Sequence, residues 1–170
     1  MPLVESVRTS ARIGTGRRVA TYFLTPRTEK TMECTVKWVD GMTFLAETGT
    51  GHVVAMDGAT EAGGRNLAPR PMELMLASAG GCSAFDVVLI LKRGRQDVRG
   101  CEVKLAAERA ESDPKIFTRI AFRYVVRGKG LKREAVERAI HLSAEKYCSA
   151  SIMLGKTAEI THEWEIVEES

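Results

Sequence analysis

Residues 71–94, PMELMLASAGGCSAFDVVLILKRG, decide the fold. From Met72 to Arg93 the stretch is apolar on nearly every side, and it is too long for a strand, so a helix is expected. Gly94 is placed to end it, and Lys92, Arg93 and Arg95 suit the negative end of its dipole. Glu73, Asp86 and Lys92 interrupt the apolar run. The uncharged part falls short of the roughly 20 residues that span a bilayer. A helix apolar all round must instead be enclosed, by sheet or by a second subunit. Gly80 and Gly81 cost about 1 kcal/mol each relative to Ala in a helix. Close helix packing, or close approach of another group, is the expected compensation.

On the C-terminal side, residues 100–111 and 115–128 alternate with period two around a Ser112-Asp113-Pro114 turn and predict a hairpin. Residues 131–147 place Leu131, Ala135, Val136, Ala139, Ile140 and Ser143 or Ala144 on one helical face. A short helix over 148–156, stopped by Gly155, and a final strand over 158–169 complete that half. On the N-terminal side, residues 34–48 alternate about Asp40-Gly41, a second hairpin signal, and 52–58 give a third strand. Residues 59–71, with paired Gly and two Pro, form a loop long enough to suggest a function. The expected class is α+β: strands, helix, strands, helix, strand.

The 170-residue chain has a formal net charge of +3. Residues 1–31 carry six basic residues against two acidic ones, a local net of +4, so the remainder is close to neutral at −1. The body is therefore not a basic surface built for nucleic acid. The 1–31 segment is read as a basic, disordered extension. A basic arm, an Arg-rich transit peptide and a segment upstream of a natural start at Met32 are the competing accounts, the last favoured because patterned sequence begins there. Residues 32–170 are read as one domain. Nothing reads as a secretory signal, so a reducing cytoplasmic setting is expected, where a disulfide would be catalytic rather than structural.

The four cysteines, Cys34, Cys82, Cys101 and Cys148, contain no CxxC pair, so no zinc knuckle or thioredoxin motif is indicated. Cys34 and Cys101 begin strands, and simple packing is expected of both. Cys82 follows the Gly pair. Cys148 lies where one helix ends and another begins, a place where free N–H groups favour a thiolate.

The segment PMELMLASAGGCSAFDVV, followed by SAEKYCSASIML, resembles the OsmC/Ohr family of osmotically inducible and organic-hydroperoxide-resistance proteins, especially its YhfA-like branch. The resemblance spans about 32–170. It implies an intertwined homodimer with two sheets around the central helix and thiol sites at the interface. It implies a thiol-dependent peroxidase in oxidative-stress defence. Cys82 would attack the hydroperoxide and Cys148 would resolve the sulfenic acid as a disulfide, with an external lipoyl-type dithiol as reductant and no bound cofactor or metal. The apolar side chains of Met75, Leu76, Phe85, Tyr147 and Met153 would suit an organic hydroperoxide. No membrane or nucleic-acid partner is expected.

The chain departs from the family pattern where thiolate activation is concerned. The peroxidases pair an early-loop arginine with a glutamate directly after the helix-motif proline. Here the matching turn, ETGTGHVV, has no arginine, and Met72 follows Pro71. Glu73 is one residue late. Nine residues separate it from Cys82, which puts the two on opposite helix faces. Asp86 lies one turn past Cys82 on the same face, where a carboxylate opposes thiolate formation. Arg70 is the preferred substitute cation, ahead of Arg65. His52 and His162 are further candidates, as is His141, seven residues before Cys148 and on its face if the helix runs on. The departure keeps a second reading open: a non-catalytic binder of an apolar small molecule, or a redox sensor.

Overall fold

The computed structural model describes residues 31–170. The basic 1–31 segment lies outside the described residues except for Thr31. Strands β1 (Cys34–Asp40), β2 (Thr43–Thr48) and β3 (Val53–Met56) form an antiparallel sheet in the order β1-β2-β3. Helix α1 follows (Pro71–Arg93). A long hairpin of β4 (Asp97–Arg109) and β5 (Phe117–Lys129) comes next. The chain then runs through α2 (Arg133–Leu142), a π-helical turn (Ser143–Tyr147) and α3 (Ser149–Leu154) to β6 (Glu159–Glu168). The second sheet has the order β4-β5-β6, and β6 pairs parallel to β5. A parallel pair needs a crossover, which the α2–α3 segment supplies.

The turn at Asp40-Gly41 closes the first hairpin, with Gly41 at φ +54°. At the start of α1, the Arg70 N–H donates to Glu73 Oε2 at 2.9 Å, and Pro71 occupies the first helical position. Both are helix-start devices. The loop before α1 is a built structure. Asp57, 1% exposed, accepts the backbone N–H groups of Gly58 (2.8 Å), Arg65 (3.0 Å) and Leu67 (3.0 Å). The Leu67 N–H is the largest influence holding the Asp57 carboxyl below its usual range.

The core joins Ala79, Val87 and Leu91 of α1 to Ile120, Phe122, Tyr124 and Val126 of β5 and to Val136, Ala139 and Ile140 of α2. The β5 residues alternate inward and the α2 residues fall at i, i+3 and i+4, as their periodicities require. Gly80 is explained by β4: a Cβ there would sit 2.5 Å from Leu105 Cδ1. Gly81 has no such constraint among the described residues, since none of them lies within 4 Å of the same position.

Among the described residues α1 is enclosed on one side only. It is long and apolar enough to cross a membrane by length and composition, yet Ala79, Val87 and Leu91 are buried in this domain's own core. Phe85, 68% exposed, and Met75 lie on its uncovered side. The first sheet is similarly uncovered at Val36, Trp38, Val39, Leu45, Val53 and Val54. Cys34 lies on this exposed sheet, which corrects the packing expected of it. Cys101 is half-buried, and burial pushes its thiol up.

Candidate functional site

Three elements bring two distant thiols together. Cys82 stands at the middle of α1, and Cys148 is the N-cap of α3. The π-helical turn connects α2 to that cap, and Cys148 N–H donates to Ser143 O at 2.9 Å, the i−5 bond of such a turn. Cys82 Sγ, Cys148 Sγ and a carboxylate oxygen of Asp86 all lie within 4.8 Å of one another. Asp86 and Cys82, four residues apart, share the face of α1 that the sequence predicts. The same three atoms are a donor set that a thiophilic cation can use.

The two thiols differ. Cys82 is partly exposed, whereas Cys148 is 0% exposed. Ser151 donates to Cys148 Sγ from its backbone N–H at 3.4 Å and from its hydroxyl at 3.0 Å. Burial pushes the Cys148 thiol up, and the two Ser151 bonds act against that shift. An incoming electrophile therefore meets Cys82 first, with Cys148 behind it.

A chain of hydroxyls runs from Asp86 into the core. Ser143 Oγ donates to Asp86 Oδ2 at 3.3 Å and shares a 2.9 Å bond with Ser83 Oγ. Ser83 Oγ meets Tyr124 Oη at 2.7 Å, and Tyr124 Oη meets His162 Nδ1 at 3.2 Å. Each hydroxyl has one hydrogen, and a carboxylate only accepts. With Ser143 donating to Asp86, the order follows: Ser83 donates to Ser143, Tyr124 to Ser83, and His162 Nδ1–H to Tyr124. Burial pushes the Tyr124 hydroxyl up to about 12 and pushes His162 down. Both shifts favour the neutral forms that this order uses. His162 stacks beside Phe122 and Tyr124 and, with Ser151, lines a cavity of about 570 Å³ bounded by α2, α3 and β6. Cys82 does not line that cavity.

Other sequence candidates fall elsewhere. Glu73 is occupied with capping Arg70 N–H, nine residues and roughly 13 Å of helix from Cys82. Arg70 is exposed at the helix start. Arg65 pairs with Asp40 at 3.1 Å. His52 is bonded to Thr50 at 3.0 Å on the β2–β3 turn. His141 pairs with Glu145 at 3.0 Å and is exposed. The helix does not run on to Cys148 as an α-helix, so the face shared by His141 and Cys148 is lost at the π turn. Ser83, Tyr124, Ser143 and Ser151 are functional-site neighbours that sequence reasoning missed. Ser151 carried a signal as a hydroxyl three residues past an N-cap, and Ser143 as a hydroxyl on the apolar face of the 131–147 helix.

Comparison with known proteins agrees with this architecture. Residues 63–163 match the family described as OsmC-like protein. The chain is 54% identical to Protein YhfA of Escherichia coli over 136 residues, covering 80% of this chain and 98% of that protein. A crystal structure of a hypothetical protein from Aquifex aeolicus shares 35% identity at a TM-score of 0.72, covering 83% and 99% of the two chains. An organic hydroperoxide resistance protein from Elizabethkingia anophelis shares the fold at a TM-score of 0.62 and 15% identity, covering 84% and 100%. By its matched residues, its identity to YhfA and its two-sheet α+β architecture, the chain belongs to the OsmC family.

Proposed function

We propose that this protein is a thiol-dependent peroxidase that reduces organic hydroperoxides through Cys82 and Cys148. The observation that carries the reading is the meeting of these two thiols, 66 residues apart in sequence, within 4.8 Å. In the proposed reaction the Cys82 thiolate attacks the outer oxygen of ROOH and the O–O bond breaks. The alcohol leaves with a proton, and Cys82 becomes a sulfenic acid. The Cys148 thiol then displaces water from that sulfur and forms the disulfide. An external dithiol of the lipoyl type, in a reducing compartment, restores both thiols. The exposure difference supports these roles, because the attacking sulfur must be reached and the resolving sulfur need not be. The same reading includes a homodimer: a second copy over the exposed face of α1 and the exposed first sheet would enclose Phe85 and Met75 around the thiols.

A second reading keeps the pocket and drops the turnover. It is favoured by the engagement of Glu73 in helix capping and by Asp86, a carboxylate beside both thiols that accepts a hydrogen bond from Ser143 Oγ at 3.3 Å. On that reading the protein binds an apolar small molecule or senses oxidants. Turnover with cumene hydroperoxide and dihydrolipoamide separates the two. The peroxidase reading expects consumption by the wild type and none by Cys82→Ser. Absence of turnover with several organic hydroperoxides refutes it, and native mass spectrometry for a co-purified apolar ligand then tests the second.

A further inference from the structure

We propose that reduced Cys82 and Cys148, together with Asp86, form a binding site for a thiophilic divalent cation, with zinc as its simplest occupant. The site goes beyond the peroxidase reading, because it needs no peroxide and no turnover. Two ligands come from one face of α1 one turn apart, the spacing by which a helix presents a pair of donors to one ion. The third comes from the N-cap of α3. Their donor atoms all lie within 4.8 Å of one another. A tetrahedral zinc with Zn–S bonds of about 2.3 Å holds two sulfurs about 3.8 Å apart. From separations of at most 4.8 Å, a contraction of no more than about 1 Å brings the sulfurs to that spacing, within reach of side-chain rotation at the half-buried Cys82 and Asp86.

An outer layer of hydrogen bonds is already in place. Ser143 Oγ donates to Asp86 Oδ2, and the Ser151 hydroxyl and N–H donate to Cys148 Sγ. Such partners fix ligand direction and raise affinity in metal sites. Binding releases both thiol protons to solvent and changes no oxidation state. Three protein ligands leave a fourth position open on the exposed Cys82 side, for water or a small ligand. The cation and the Cys82–Cys148 disulfide exclude one another, because the oxidised pair has no thiolate to offer.

The test uses the full chain carrying Cys34→Ser, which removes the exposed thiol, reduced and handled without oxygen. Zinc is titrated in competition with a chromophoric chelator. One zinc per chain is expected. Asp86→Asn should weaken binding at least ~10-fold, Ser143→Ala by roughly 10- to 100-fold, and diamide-oxidised protein should bind none. Cobalt should give a sulfur-to-metal charge-transfer band that Cys82→Ser abolishes. Because Cys148 is buried and its replacement can unfold the chain, alkylation of Cys82 serves as the second means of removing a ligand. Failure to bind stoichiometric zinc overturns the proposal. So does binding that survives Cys82→Ser, or an Asp86→Asn affinity within twofold of wild type. None of these results bears on hydroperoxide turnover, so the two readings fail separately.

Discussion

Ser83 and Tyr124 offer the sharpest test of the polar chain behind the thiols. Ser83→Ala removes two bonds, to Tyr124 (2.7 Å) and Ser143 (2.9 Å). Tyr124→Phe also removes two, to Ser83 and to His162 (3.2 Å). A hydrogen bond contributes about 1 kcal/mol net, and an orphaned buried partner adds to the loss. Each single variant should therefore lose roughly 2–3 kcal/mol, or on the order of 5–10 °C in Tm for a chain of this size. The two variants share one bond. Together they should cost about 1 kcal/mol less than the sum of the singles, the signature of a direct contact. Urea unfolding of all four proteins, at one fixed protein concentration, measures the cycle. Additivity within about 0.3 kcal/mol refutes the reasoning, because it would mean the two hydroxyls satisfy themselves independently.

Two further outcomes follow from other parts of the molecule. Asp57, held below the usual carboxylate range by backbone N–H groups, gives its full stabilising contribution above about pH 3.9. That contribution is lost as pH falls through the lower folded value. Hydrogen-exchange protection factors at Gly58, Arg65 and Leu67, corrected for the intrinsic rate at each pH, should fall in that acid range in the wild type, and already at neutral pH in Asp57→Ala; unchanged protection in the variant refutes the anchoring role. The proposed dimer predicts sedimentation at twice the 18.7 kDa chain mass, and dissociation by Phe85→Asp. A monomeric wild type overturns it.

Much of the architecture was legible because period and punctuation agree in this chain. The apolar 72–93 run, the Asp40-Gly41 turn and the alternation in 117–129 each specify one local structure. The Cys82–Asp86 proximity was legible for the same reason, since both lie on one helix. The Cys148 surroundings were less so. An amphipathic pattern over 131–147 does not distinguish an α-helix from one with a π turn in its last five residues, and that difference removes His141 from the site. The Ser83–Tyr124–Ser143 cluster joins residues 41 and 60 positions apart. No local pattern marks such a buried hydroxyl, because each of the three residues fits its own element without it. That Cys34 is exposed rather than packed was not legible, because a strand's alternation shows which residues share a face, not whether anything covers that face.

The π turn also bears on how this family can change. A turn of this kind holds one more residue than the α-helix it interrupts. Deleting a single residue between Ser143 and Tyr147 would restore regular helix and rotate everything after it by about 100°. Cys148 would swing away from Cys82 while both cysteines stayed in the sequence. A descendant could thus lose the paired thiols through one deleted codon with every site residue still in place. Counting cysteines among relatives would miss that change; counting the residues between His141 and Cys148 would reveal it.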